Sequence, residues 1–278
     1  MTFNTTNNDK NFFNNQNFVL GFEPEFNTVT FNEMNRYNRS LGENRIKGLN
    51  YVFDGSMVDG EASLPILSNC EKSKLYLKSV LEQLVAKQAT VNWTCSIHIH
   101  VSRRPIIIDP TEFHDMSVAH SESNNYTPLP SNDRASYFGN AIPLEIAKDI
   151  GYRVSKNIDQ YNSFLAPSRI DDGGYAVPAM RRVYNNRGQK NGYFCKKPSS
   201  KDAILNSTSL YQLQRSISPA SKYSSINLYH WSDYETIEYR SHGGTFEIEK
   251  IWSYAMFLIA MQKHSIINRH NQVQQLIN

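Results

Sequence analysis

Two carboxylates stand two residues apart in an otherwise apolar run, Gly21-Phe22-Glu23-Pro24-Glu25-Phe26. On an extended strand, positions i and i+2 share a face. Glu23 and Glu25 would then aim together, with their Cα atoms roughly 6–7 Å apart. Leu20, Phe22, Pro24 and Phe26 would take the opposite face. An inward acidic pair calls for a cation between the carboxylates, most simply a metal ion; a solvated edge strand is the other reading of this pair alone. The spacing recurs twice. Thr94-Cys95-Ser96-Ile97-His98-Ile99-His100-Val101 puts two histidines on one face, and Thr236-Ile237-Glu238-Tyr239-Arg240-Ser241 does the same with a carboxylate and a guanidinium. Glu/Glu, His/His and Glu/Arg dyads, each backed by apolar residues, make a combined site a stronger reading than three solvated faces. Glu61, in Gly60-Glu61-Ala62-Ser63-Leu64-Pro65-Ile66-Leu67, stands beside small residues rather than in a charge run. It is either a surface glutamate or a further member of this set.

Helices must cover the apolar backs of these strands. Residues 70–89 carry a stripe of Leu77, Val80, Leu81, Leu84, Val85 and Gln88 at helical spacing, with Asn69 or Ser68 as a possible cap. A second helix is expected from Pro143 to about Phe164, with Ala147, Ile150, Val154, Ile158 and Tyr161 buried. Pro167 disfavours helix at Ala166. A last helix follows Gly243-Gly244-Thr245, with Thr245 as N-cap and Ile248, Ile251, Trp252, Ala255, Leu258 and Ile259 facing the core. Its polar continuation after Ile267 is expected to fray. The first strand is expected over about Phe18 to Thr28, and Tyr51-Val52-Phe53 runs into an Asp54-Gly55 turn. Residues 32–50 read as loop or short helix. The proline-rich stretch 103–142 reads as long loops, with His114 and His120 at the surface. Residues 1–16, rich in Asn and Thr, read as a disordered arm. Residues 171–201 mix basic and aromatic side chains and are either a solvated loop or a lid over anionic ligands.

The chain has 278 residues, 40% hydrophobic and 12% aromatic, which allows one domain with a sizeable core. Its 29 basic and 26 acidic residues leave a net charge of +3, too weak to argue for nucleic acid. No apolar run approaches the roughly 20 residues of a membrane span, and the N-terminus lacks a basic-then-apolar signal pattern. Cys70, Cys95 and Cys195 form no Cys-x-x-Cys and no framework, so free thiols in a reducing, cytoplasmic setting are expected. There is no Gly-x-x-x-x-Gly-Lys loop of the P-loop type.

In this order, the motifs resemble the metal-binding strands of glutamine synthetase. The fuller pattern is similar to the amidoligase family, carboxylate–amine ligases related to glutamine synthetase and glutamate–cysteine ligase. The matching motifs are Glu23-x-Glu25, Asp54-Gly55-Ser56 with Glu61-x-x-Leu-Pro-Ile-Leu, Cys95-x-x-His98-x-His100-Val, Pro167-Ser168-Arg169, Lys222-Tyr223-x-x-x-Asn227-Leu, and Glu238-x-Arg240 followed by Gly244-Thr245. They run from about residue 18 to 260. The Asn-rich arm and the proline-rich stretch after Val101 depart from the pattern.

The resemblance implies an α+β fold for residues 17–278. One glutamine synthetase-like antiparallel sheet would hold the site on a polar concave face, with helices on the other side. It implies an ATP-dependent ligase that activates a carboxylate as an acyl phosphate and joins it to an amine. Mg²⁺ or Mn²⁺ would be held by Glu25 and Glu61 at one position, and by Glu23, His98 and Glu238 at the other. Arg240, Glu238 and Glu61 would be catalytic; His100, Lys222, Asn227, Arg240 and Arg169 would contact nucleotide or substrate. The acid would be a small molecule, peptide or protein, oligomers are compatible with it, and no nucleic acid or membrane partner is implied. A metal-dependent hydrolase using His98, His100 and the glutamates on Zn²⁺ or Mn²⁺ is the rival reading. A non-catalytic nucleotide-binding relative is a third.

Overall fold

The computed structural model describes residues 18–53, 58–92, 94–103, 109–123, 144–156, 200–218, 224–228 and 236–277. The strands run β1 (Phe18–Phe26), β2 (Asn50–Val52), β3 (Gly60–Ser63), β4 (Leu67–Ser68), β5 (Ser96–Arg103), β6 (Ile226–Asn227) and β7 (Ile237–Gly243). The helices are α1 (Phe31–Ser40), α2 (Glu71–Ala86), α3 (Pro110–Ser123), α4 (Leu144–Lys156), α5 (Lys201–Leu205), α6 (Leu210–Ile217) and α7 (Ile248–Ile277). The fold is α+β. The strands form an antiparallel sheet in the order β2-β3-β1-β5-β7-β6, with β4 pairing a second stretch of β1.

Alternation in the three long strands divides the sheet into two faces. Leu20 and Phe22 of β1, Ile97 and Ile99 of β5, and Ile237 and Tyr239 of β7 lie in one core with side chains of α2, α4, α6 and α7. Phe22 stacks on Trp252 of α7 with ring centroids 6.0 Å apart. Leu20, Ile97, Ile99 and Ile237 are fully buried, and each stabilises the sheet–helix contact by about 1.5–3 kcal/mol. A smaller cluster, around Phe26, Met34, Tyr51 and Leu84, packs α1 and α2 beside β2 and β3. The Glu and His dyads occupy the face that this apolar alternation leaves free.

Two local features place the site. β1 pairs with β4 only at Val19 and Leu20 and with β3 only at Glu25 and Phe26. Pro24 lies just before the β3 pairing, in a stretch where β1 has β5 alone as partner, so a missing N–H is tolerated inside a central strand. On β7 the register slips: Ile99 faces Tyr239 but Ile97 faces His242. Two residues, Arg240 and Ser241, therefore stand against one, His98. Such a bulge sharpens the local twist and re-aims side chains. Beyond it the alternation is reversed, and His242 turns to the helix side, where its ring packs against Tyr254 at 5.0 Å.

Several expectations change. β1 ends at Phe26 rather than Thr28. The polar stretch after residue 30 forms α1, whose start is set by a Thr30–Glu33 capping box rather than by an apolar stripe. α2 forms as expected, but its stripe stops at Leu84; Val85 is exposed, and Gln88 lies past the helix with φ of 59°. Neither Asn69 nor Ser68 caps it. Cys70 holds the N-cap position without a side-chain bond to the helix backbone, and Ser68 Oγ donates to the carbonyl of Pro110. The stretch expected to be loops contains α3. Asp109 starts it, accepting from the backbone N–H of Thr111 and Glu112 at 2.8 and 3.2 Å. His114 of α3 is buried, not at the surface, and bonds Ser73 Oγ at 3.0 Å. α7 continues to Ile277, past the point where fraying was expected. The arm 1–16, Asp54-Gly55-Ser56, the second helix beyond 156, and nearly all of the possible lid 171–201 lie outside the described residues. Among the described residues, no helix is long and apolar enough to cross a membrane.

Candidate metal centre

The sheet register brings the dyads together. Glu25 of β1 stands opposite Glu61 of β3, Glu23 of β1 opposite His98 of β5, and His100 of β5 opposite Glu238 of β7. Asn227 of β6 is opposite Glu238 on its other side. Four strands and their β6 neighbour thus place four carboxylates, two imidazoles, a guanidinium and an amide on one surface. Gly21, two residues before Glu23 and opposite His100, leaves room for that ring: a Cβ there would come within 3.2 Å of His100 Cβ.

His98 is the centre of the cluster and is 1% exposed. Its Nδ1 lies 3.4 Å from Glu23 Oε2, 3.8 Å from Glu61 Oε2 and 3.7 Å from Glu238 Oε1. Its Nε2 lies 3.4 Å from Glu25 Oε1. His100 Nδ1 meets Thr236 Oγ1 at 3.1 Å, and its Nε2 lies 3.2 Å from Glu23 Oε2. Neither Nε2 makes a hydrogen bond, although both are buried. Buried polar atoms of this kind are normally satisfied, so His100 Nε2, which faces Glu23, points to a missing partner. Glu25 Oε2 accepts the backbone N–H of Ser96 at 2.6 Å, and Glu238 Oε2 accepts from Asn227 Nδ2 at 2.5 Å. Arg240 Nη1 donates to Glu238 Oε1 and meets His98 Nδ1 at 3.3 Å, while its buried Nε has no partner.

These contacts shift the titrating groups in opposite directions. Burial is the largest single influence on the Glu23 carboxyl and works to raise it, but His100 and His98 together outweigh it and hold Glu23 well below the usual carboxylate range. Burial likewise opposes ionisation of Glu238, and the Arg240 and His100 charges overcome it and hold the pKa down. Burial would lower the His100 pKa; Glu23, with Glu238 behind it, instead raises it to about 9. Arg240 is held more firmly protonated, its burial outweighed by Glu238 and the neighbouring glutamates.

Two sets of donor atoms lie close enough to share an ion: Glu23, Glu61 and His98, and Glu23, His100 and Glu238. Carboxylate oxygen with one imidazole nitrogen per set suits Mg²⁺ or, better, Mn²⁺. The residues therefore fit the metal chemistry expected from the sequence, but their grouping differs from the one the resemblance implies. Glu23 belongs to both sets, His100 joins a set as a donor, and Glu25 is in neither; its oxygens meet the Ser96 N–H and His98 Nε2.

Every described residue expected at the site is there: Glu23, Glu25, Glu61, His98, His100, Asn227, Glu238 and Arg240. Asn227 is 1% exposed and supports Glu238. Arg169 and Lys222 lie outside the described residues. Thr236, which fixes His100, is an addition; it continues the alternation of Glu238 and Arg240 by one step, which was the available signal. No family model, curated protein or solved structure matches this chain.

Proposed function

We propose that the protein is an ATP-dependent carboxylate–amine ligase with a glutamine synthetase-like sheet, acting in the cytoplasm. It would join a carboxylate of a small molecule, peptide or protein to an amine as an amide or isopeptide bond. The observation that carries this reading is the convergence of Glu23, Glu61, His98, His100 and Glu238 with Arg240 on one sheet face, each motif in the order of the amidoligase pattern.

The glutamates and histidines would hold divalent cations, which when bound neutralise phosphate oxygens during phosphoryl transfer. Asn227 and Thr236 keep Glu238 and His100 oriented from behind, the role outer partners have in metal sites. Arg240 carries a buried, unpartnered N–H that an anionic ligand would satisfy. Its guanidinium would take up charge as the substrate carboxylate oxygen displaces ADP from the γ-phosphorus. The resulting acyl phosphate then loses phosphate to an attacking amine, which sheds a proton and leaves the amide.

The test is incubation of the full chain with ATP, Mg²⁺ or Mn²⁺ and a panel of amino acids and peptides. ADP and phosphate formed only when both an acid and an amine are present support the ligase. Hydrolysis of amides or esters by the Mn²⁺ or Zn²⁺ form, without any ATP requirement, would replace it with a metal-dependent hydrolase.

A further inference from the structure

We infer that Glu23 is the shared carboxylate of two adjacent cation positions, one completed by Glu61 and His98 and the other by His100 and Glu238. In this arrangement Glu25 is a positioning residue rather than a ligand, and His100 is a ligand rather than a nucleotide contact. The inference deepens the ligase reading by reassigning its metal ligands, but it rests on donor geometry and concerns cation binding alone.

The grounds are distances and unmet bonding capacity. Glu23 Oε2 is the one carboxylate oxygen close to both rings, at 3.4 Å from His98 Nδ1 and 3.2 Å from His100 Nε2. Glu23 is also the one residue common to the two donor sets found among the described residues. The register explains why. Glu23 sits opposite His98, and His100 is the next residue along β5 on the same face, so one carboxylate on β1 reaches both. His100 is 9% exposed; its Nδ1 is committed to Thr236, and its Nε2 points at Glu23 without a hydrogen bond. Fixing one ring nitrogen through an outer partner and leaving the other toward carboxylates is how a ligating imidazole is prepared. His98 at the neighbouring position turns Nδ1 toward three carboxylate oxygens, all within 3.8 Å, although that nitrogen also meets Arg240 Nη1 at 3.3 Å.

Glu25 is built differently. It is 3% exposed, one oxygen is held by the Ser96 backbone N–H, and the other faces His98 Nε2, on the far side of the ring from the three carboxylates. A carboxylate placed there faces the ring from the Nε2 edge, while Nδ1 is turned to the other three carboxylates and to Arg240 Nη1 at 3.3 Å, a donor that a bound cation would have to displace. The Glu25–His98 contact is the carboxylate–histidine pairing found behind many metal ligands.

The experiment is Mn²⁺ titration of the full chain without nucleotide, followed by calorimetry and electron paramagnetic resonance. The expected result is two Mn²⁺ per chain with an exchange-coupled spectrum at saturation, because a common carboxylate joins the ions. Glu23→Gln should weaken both positions and abolish the coupling. Glu25→Gln should retain two coupled ions with affinity lowered by no more than about tenfold to a hundredfold, the range for an outer partner. His100→Asn should leave one ion with an uncoupled six-line spectrum. Circular dichroism reports folding of each variant; if Glu23→Gln does not fold, His100→Asn and Glu61→Gln, each losing a different one of the two ions, decide the matter. A single Mn²⁺ in the unsubstituted protein overturns the inference. So does Glu25→Gln losing one ion, or His100→Asn keeping two. Two coupled Mn²⁺ in a protein that makes no ADP would uphold it and remove the ligase reading. ATP turnover with one Mn²⁺ would do the reverse.

Discussion

Arg240 shows how much one side chain contributes through shape rather than charge. Its Nη1 bridges Glu238 and His98, and its Nε remains buried without a partner. A planar guanidinium can hold one carboxylate and still present a second donor to phosphoryl oxygens; an ammonium cannot. On the proposed ligase reading, Arg240→Lys should keep much of the ATP affinity and lose turnover by roughly 10²–10³, the cost of one preorganised donor. A merely structural arginine would show a lowered melting temperature with turnover per folded molecule intact, so both are measured on one sample. Gly21 gives a complementary test. Glycine inside a strand is unfavourable, so Gly21→Ala should not lower the melting temperature. Its Cβ would crowd His100 Cβ at 3.2 Å and displace the ring by a few tenths of an ångström. Mn²⁺ affinity should fall by about tenfold, as when an outer partner is lost. Unchanged affinity in the alanine variant would mean that the ring's placement is unimportant for binding. The dyads were legible from residue type because i, i+2 spacing translates directly into a shared strand face. The separate duties of Glu23 and Glu25 were not. They depend on which strand lies beside β1, and that is a long-range fact.

Among the elements, those with an apolar period were readable and those held by polar contacts were not. α2 as far as Leu84, α4 as far as Val154, and α7 carry stripes that pack on the core. α1 and α3 are placed by the Thr30–Glu33 box and the Asp109 cap, short polar signals that occur in loops as well. The β7 bulge left no trace in residue type, since alternation continues through it in sequence while the faces reverse in space. His114, where α3 packs on α2, offers a test at this scale. Burial is the main force lowering its pKa below the ordinary 6.5; Lys72 adds to it and Asp115 opposes it. The folded form therefore releases the proton more readily than the unfolded chain. Above about pH 6.5 both are neutral at this residue, and the full stability is present. As pH falls through 6.5, the unfolded chain takes up the proton first, and stability is lost until the folded-state pKa is passed. His114→Phe keeps a ring against Tyr76 and removes this titration. Urea midpoints measured from pH about 7.5 to about 5.5 should fall more steeply in the unsubstituted protein than in the variant. Parallel curves would show that His114 is protonated alike in both states.

At the scale of the whole molecule, the sheet separates apolar packing from a charged, polar cluster. Its helix-packed face supplies the apolar burial, and its other face concentrates polar groups that oppose it. The polar face could be read from alternation in β1, β5 and β7, whereas the α+β class with its antiparallel sheet was what the family resemblance implied. Strand order could not be read, because β1 is drawn between β3 and β5 by pairings that span the chain. The cost of the polar face leads to the last prediction. Glu23, Glu61 and Glu238 crowd around His98 with all three carboxylates within 3.8 Å of one nitrogen. Glu23 and Glu238 are held below the usual carboxylate range and are therefore ionised at neutral pH. Arg240 and His100, raised to about 9, offset part of this charge from inside the cluster. A divalent cation that binds the folded site and not the unfolded chain adds stability by mass action, about 2.7 kcal/mol at a hundredfold excess over Kd. For a chain of this size, each kcal/mol moves the melting temperature by roughly 2–4 °C, so Mn²⁺ should raise it by roughly 5–10 °C over the chelator-treated protein. Mg²⁺ should act in the same direction, and Na⁺ at matched ionic strength should not, because screening alone is weak at buried charges. Glu23→Gln should melt close to the metal-free parent and show little response to Mn²⁺. An equal Mn²⁺ response in parent and variant would place the stabilising ion somewhere other than this sheet face.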